Sequence, residues 1–279
     1  MASFTNFATL SYNGGTTNSN IVTGEILEAL TAVKTAVSTN YSAGDRITYA
    51  LSLVNTGTAA VTDYTVTDNL VGANTVYPLA YNAGTVRYYI NGVLQTAPTV
   101  TAGPPLTVTG LTVPAGGSAV LIYETTATPV APLATGSSIT NTATITGGGL
   151  TNPITAQATV ETATSADLTI SKALSPTTVT ENGQITYTFV ISNTGNTEAT
   201  ATGNVVVTDT FAPILRNIAV TYNGTAWTEG TNYTYNAATG VFTTLAGQIT
   251  VPAATFTQNT DGTFTVTPGT ATLVITGTV

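Results

Sequence analysis

The stretch "QITYTFVISNTG" (184–195) decides how the rest of the chain is read. Ile185, Tyr187, Phe189 and Ile191 share one face of a period-two pattern, and Asn193-Thr194-Gly195 closes it with a turn signal. The same pattern stands at "RITYALSLVNTG" (46–57), where Ile47, Tyr49, Leu51 and Leu53 share a face before another Asn-Thr-Gly. Thr, Val, Ala, Gly and Asn dominate the chain, which is a vocabulary of strands and turns. Many short strands punctuated by Gly, Pro and Asn predict an all-β protein of β-sandwiches.

Composition removes most chemistry. The chain has 279 residues, enough for two ordinary domains, with no Cys and no His. Disulfides, thiolate nucleophiles, imidazole acid–base chemistry and the usual zinc ligands are therefore out of reach. Five Lys+Arg face thirteen Asp+Glu, a net charge of −8, which argues against a nucleic-acid partner and offers no basic patch to anionic lipid. No apolar run is long enough to span a bilayer. "MASFTNFATL" lacks the basic start and apolar stretch of a signal peptide, which suggests a trimmed mature form or a protein made without standard secretory targeting. No cofactor and no metal are expected.

The two strands belong to a long internal repeat. Lys34 corresponds to Lys172, Ile47 to Ile185, "TVTDNL" (65–70) to "VVTDTF" (206–211), and "YYINGVLQ" (88–95) to "VTYNGTAW" (220–227). "GSAVLIYETT" (117–126) aligns with "TATLVITGTV" (270–279). The first copy then continues through "SITNTATITGGGLTNPITAQATVE" (138–161), while the second stops at Val279. The match to that continuation is "SFTNFATLSYNGGTTNSNIVTGEILE" (3–28), at the other end of the chain. The expected organisation is a donor strand segment (1–28), domain 1 (29–163) and domain 2 (164–279), which lacks its last strands.

A sandwich without its last strands exposes an apolar groove and unpaired edges. The segment 1–28 could fold back onto domain 2 of its own chain, complete domain 2 of a neighbour, or form an ordinary extra hairpin. Six positions separate Glu28 from Lys34, against eleven from Glu161 to Lys172, so the segment runs almost directly into domain 1. That favours the neighbour. Such a head-to-tail contact does not close on itself and makes a filament, by strand addition. The donor face is Phe4, Asn6, Ala8 and Leu10. A helical alternative exists at "GEILEALTAVKTAV" (24–37), with Ile26, Leu30, Val33 and Val37 at helical spacing, but its repeat partner reads as strand and is followed here.

Three polar residues recur on apolar strand faces. Lys172 shares its face with Leu168, Ile170 and Leu174, and Asp209 with Val205, Val207 and Phe211. Asn141 sits with Ile139, Ala143 and Ile145, and Asn6 with Phe4, Ala8 and Leu10. A buried Lys, Asp or Asn is costly unless partnered. One reading is a Lys–Asp ion pair with an Asn hydrogen bond. The other is an isopeptide bond: burial lowers a Lys pKa and raises that of an Asp, the amine attacks the Asn carboxamide, and the acid shuttles protons as ammonia leaves. Asp68 and Asp209 would be the promoting acids. Domain 1 holds Lys34, Asp68 and Asn141, whereas domain 2 has Lys172 and Asp209 and would take Asn6 from the incoming donor.

The segments 168–211 and 30–70 resemble the "DUF eleven" repeat of bacterial surface proteins, through Lys, Gly, "ITYT", "NTG", "VTD" and "NTAT". The resemblance implies two tandem Ig-like β-sandwich domains akin to Gram-positive adhesins and pilins, with Lys34, Asp68 and Asn141, then Lys172, Asp209 and Asn6, in the isopeptide roles. It implies a bacterial cell-surface or spore-surface appendage whose partner is another copy of itself. Against the usual family pattern, the sequence shows two repeats, no evident LPxTG-type sorting tail and a displaced terminal segment, so covalent anchoring to a cell wall is not expected from the resemblance. A turnover enzyme is disfavoured: Asp63 and Asp68 are the one close pair of acids before a loop, and their spacing of five puts them on opposite faces of a strand. The rival function is a monomeric adhesive or carbohydrate-binding module using Trp227, Tyr88, Tyr89, Tyr233 and Tyr235. Asp261 is a weak calcium candidate.

Overall fold

The computed structural model describes residues 2–26, 29–70 and 77–279. Among the described residues it is all-β, with a turn of 3-10 helix at Ala201–Gly203, and the chain divides into two compact units. Unit 1 is Met1–Pro132 with Ser138–Glu161, and unit 2 is Leu133–Ser137 with Thr162–Val279.

Unit 1 is an Ig-like sandwich of two six-stranded sheets. The first sheet is centred on Arg46–Asn55, which pairs with Leu30–Ala36 on one side and Ser118–Ala127 on the other. Alternation decides what it buries: Ile47, Tyr49, Leu51 and Leu53 are each 0% exposed. In the second sheet, Val61–Asp68 lies between Leu106–Val113 and Ser138–Gly147, and the latter pairs onward with Ile154–Thr162.

Leu30–Ala36 is strand, so the helical alternative does not form. Leu30 and Lys34 are buried, whereas Val33 and Val37 are 60% and 76% exposed. A helical face would have buried Val33 and Val37 with Leu30. The ladder to Arg46–Asn55 satisfies this backbone and sets the two-residue period instead. Leu27 and Glu28, within the helical alternative, lie outside the described residues.

Unit 2 repeats the first sheet faithfully. Leu168–Ser175 pairs with Gln184–Asn193, which pairs with Gly269–Thr278. Lys172 faces Phe189 across the ladder as Lys34 faces Leu51. The same ladders correct one sequence correspondence. Leu121 lies opposite Leu51, and Leu273 lies opposite Phe189, so Leu121 matches Leu273 and Tyr123 matches Ile275. Aligning 117–126 with 270–279 had slipped by one residue, which exchanges the two faces of the strand.

The second sheet of unit 2 is smaller. Its aspartate strand is only Thr208–Thr210, paired with Val241–Thr244, which pairs with Tyr233–Asn236. Among the described residues no strand pairs with the other edge of Thr208–Thr210. The core still forms from Ile185, Phe189, Leu273 and Ile275 of one sheet with Phe211, Tyr233 and Phe242. Both Asn-Gly sites make hairpins: Asn91-Gly92 and Asn223-Gly224 have positive φ at both residues, as the favoured two-residue turn requires.

The N-terminal segment is a ribbon of two short ladders. Ala2–Asn6 pairs with Val22–Ile26, and Thr9–Tyr12 pairs with Gly15–Asn18 across Asn13-Gly14. Ser19 joins them, its backbone N–H donating to the Ala8 carbonyl and its Oγ accepting from the Ala8 N–H. Phe4 is 53% exposed, Leu10 62% and Tyr12 62%. The Phe4 ring lies over Gly24 of the partner strand, where a Cβ would sit 2.4 Å from it. A two-stranded ribbon presenting this much apolar surface has little to stabilise it alone.

Candidate functional site

In unit 1 the fold brings Lys34, Asp68 and Asn141 together between the sheets. Lys34 comes from the edge strand of the first sheet, and Asp68 and Asn141 from neighbouring strands of the second. Their exposures are 4%, 1% and 1%. Asp68 Oδ2 accepts from Lys34 Nζ at 2.7 Å and from Asn141 Nδ2 at 3.1 Å. The Tyr123 hydroxyl donates to the same oxygen, and the Leu70 N–H donates to Oδ1 at 3.1 Å. One carboxylate oxygen therefore touches both the amine and the carboxamide.

Two tyrosines wall the amine. Lys34 Nζ lies 4.7 Å from the Tyr49 ring centroid and 5.8 Å from that of Tyr123. Burial pushes the Lys34 pKa down from 10.5 to about 8, against the attraction of Asp68, which acts to raise it. Burial therefore raises the share of Lys34 that is the neutral, nucleophilic amine near neutral pH. Burial drives the Tyr123 hydroxyl well above its ordinary range, with the Asp68 charge adding to the shift, so it stays a donor. Tyr49 moves in the same direction for the same first cause.

Sequence reasoning placed Tyr49 on the core face and passed over both hydroxyls. The signal was present: a tyrosine oxygen on an inward strand face needs a partner. Tyr123 was further hidden by the one-residue slip, which matched it to Thr276 and not to Ile275.

Unit 2 holds the lysine and aspartate without an asparagine. Lys172 Nζ lies 2.5 Å from Asp209 Oδ2, over the rings of Tyr187, Phe189 and Phe211 at 4.6, 5.4 and 5.6 Å. The side chains are 41% and 18% exposed. Ile170 and Leu174, on the inward face of the lysine strand, are 54% and 38% exposed. Their counterparts in unit 1, Ala32 and Ala36, are half-buried, and Leu30 is 3% exposed where its counterpart Leu168 is only half-buried. Asn6 pairs with Val22 in the exposed ribbon.

The other candidates have structural surroundings. Tyr88 and Tyr233 are buried, Trp227 stacks on Tyr222 at 4.8 Å, and the Tyr235 hydroxyl donates to the Leu215 carbonyl. Tyr89 pairs with Val120 and Leu94 in its sheet. Asp63 is exposed while Asp68 is buried, so they share no cleft. The Asp261 carboxylate accepts from Thr263 N–H and Oγ1, which lowers its pKa. Among the described residues no helix is long and apolar enough to cross a membrane.

No protein-family model matches the chain, and no curated protein matches its sequence. The likeness to "DUF eleven" repeats is therefore one of motifs. Among solved structures, it is similar to BcpA, the major pilin subunit of Bacillus cereus, at 14% identity and a TM-score of 0.37, over 96% of this chain and 73% of that one. The C-terminal fragment of the major pilin GBS80 of Streptococcus agalactiae is 13% identical with a TM-score of 0.37, over 87% and 91%. The pilus backbone RrgB of Streptococcus pneumoniae is 13% identical with a TM-score of 0.36, over 86% and 55%. At these values the likenesses say nothing of function.

Proposed function

We propose that the chain is a structural subunit of an extracellular filament at a bacterial cell or spore surface, growing head-to-tail as the N-terminal ribbon of one copy completes unit 2 of the next. One observation carries this reading. The face that the asparagine strand covers in unit 1 is bare in unit 2, and the ribbon that repeats that strand's sequence is itself exposed. Unit 1 supplies the docking register. Ala143, Ile145 and Gly147 lie opposite Asp68, Val66 and Tyr64. Ala8, Leu10 and Tyr12 then fall opposite Asp209, Val207 and Val205, and Asn6 takes the position of Asn141. Each large apolar side chain buried in this way contributes about 1.5–3 kcal/mol.

The second part of the reading is covalent. The neutral Lys34 amine attacks Asn141 Cγ, the new C–N bond forms, the bond to Nδ2 breaks, and ammonia leaves. Asp68 passes the lysine proton to the departing nitrogen. No cofactor or oxidant enters, and the reaction runs once per site. Lys172, Asp209 and the incoming Asn6 repeat it between subunits.

Electron microscopy of the purified protein tests assembly. Filaments are expected from the full chain and monomers after deletion of residues 2–23; filaments that survive the deletion overturn donor-strand assembly. The covalent part is tested by boiling in SDS, where a ladder is expected that Asp209→Ala collapses. A monomer that binds a glycan and never polymerises would instead favour the adhesive-module alternative.

A further inference from the structure

We propose that Tyr49 donates the hydrogen bond that stabilises the oxyanion formed on Asn141 as Lys34 closes the amide; this rests on the isopeptide reading above.

Two buried polar atoms at this site have no hydrogen-bond partner: Tyr49 Oη and Asn141 Oδ1. A buried group left unpaired costs about 1–3 kcal/mol, so two at one site need a reason. The other polar groups are engaged. Lys34, the Tyr123 hydroxyl and Asn141 Nδ2 all converge on Asp68 Oδ2.

That arrangement divides the work of acyl transfer. Asp68 Oδ2 touches the attacking nitrogen and the leaving nitrogen, so it carries the proton between them. Attack at Cγ pushes the carbonyl electrons onto Oδ1, and the negative charge develops on the one amide atom that has no donor. Tyr49 Oη is the buried donor still free to meet it. Both residues lie against the same amine: Lys34 Nζ is 4.7 Å from the Tyr49 ring centroid and shares Asp68 Oδ2 with Asn141 Nδ2, yet Tyr49 Oη and Asn141 Oδ1 make no hydrogen bond at rest. As Cγ turns tetrahedral, Oδ1 leaves the amide plane, and a donor unpaired in the ground state gains its partner in the transition state. A group that binds the transition state better than the ground state accelerates the step.

The bond balances as before: Lys34 Nζ joins Asn141 Cγ, Nδ2 departs as ammonia, and Tyr49 keeps its proton at start and finish. Tyr49 pairs with Tyr123 across the first sheet, and their ring centroids are 5.8 Å apart. This neighbour fixes the ring while its own hydroxyl is spent on Asp68.

The test uses the full chain made by cell-free synthesis. After synthesis is stopped, the loss of one ammonia at the linked Lys34–Asn141 peptide is followed by mass spectrometry, and folding is followed by protease resistance. Tyr49→Phe removes an unpaired hydroxyl and keeps the ring, so it should become resistant on the wild-type schedule. Ammonia loss should slow about 10²–10³-fold, the effect of deleting one oxyanion donor. Loss at the wild-type rate in Y49F overturns the role of Tyr49 and leaves the bond standing. No loss in the wild type overturns both. A Y49F chain that never becomes resistant assigns the hydroxyl to the fold and also overturns the proposal.

Discussion

At the scale of single residues, Lys34 is the most exacting. Its amine is buried beside Asp68, and its pKa of about 8 lies below the ordinary 10.5. A base whose folded pKa is depressed binds fewer protons folded than unfolded between those two values. Stability therefore rises with pH across that window and is flat below it. Asn141→Ala blocks the bond and keeps the free amine, so its urea-unfolding free energy should climb by about 2 kcal/mol between pH 8 and roughly 9.5. A flat or falling curve would contradict the burial of a free lysine. Asp68→Ala should cost about 3–5 kcal/mol, because it leaves that amine without its counter-charge. Lys34, Asp68 and Asn141 were legible in the sequence because each interrupts an apolar face at a position the repeat echoes. Tyr49 and Tyr123 were not, because tyrosine also serves as ordinary core.

At the scale of elements, a strand exists when its neighbour does. The aspartate strand spans Val61–Asp68 where Ser138–Gly147 pairs with it, and shrinks to Thr208–Thr210 where no described strand does. On assembly, the amides of residues 205–209 should gain hydrogen-exchange protection, measured by mass spectrometry on filaments against the 2–23 deletion. Leu10→Asp offers a second check. Leu10 is 62% exposed in the free ribbon, so thermal unfolding should change by less than about 0.5 kcal/mol. In the docked register it meets Val207, so filaments should be lost. A filament-forming L10D protein would rule that register out. Period-two alternation made the long strands readable, and the Asn-Gly pairs made the hairpins readable. The one-residue slip at Gly269–Thr278 was invisible to pattern alone, since only a ladder to Gln184–Asn193 fixes which face points inward.

At the scale of the whole molecule, the proposed assembly requires each copy to offer its exposed ribbon and a unit 2 that accepts one. A synthetic peptide of residues 2–26, added in excess, should occupy open units and shorten filaments seen by electron microscopy, whereas a peptide with Leu10→Asp should not. The division into two repeats was legible from the paired "NTG" and "VTD" motifs. The unmatched end of the second repeat also implied an exposed groove in unit 2, but not which side chains it bares, Ile170 and Leu174 of the lysine strand among them.

In the proposed filament, the placement of Lys34 and Asn141 would also decide how a pulled fibre carries load. The chain enters the unit 1 sandwich at Leu30, and its last strand there ends at Thr162. With the amide closed, tension passes from Leu30 to Lys34, across to Asn141, and out along the final strands. Everything between the two linked residues is a slack loop that bears no force. Such a fibre stretches little before it breaks, and single-molecule pulling should show no unfolding step from residues 35–140 until Asn141→Ala opens the shortcut.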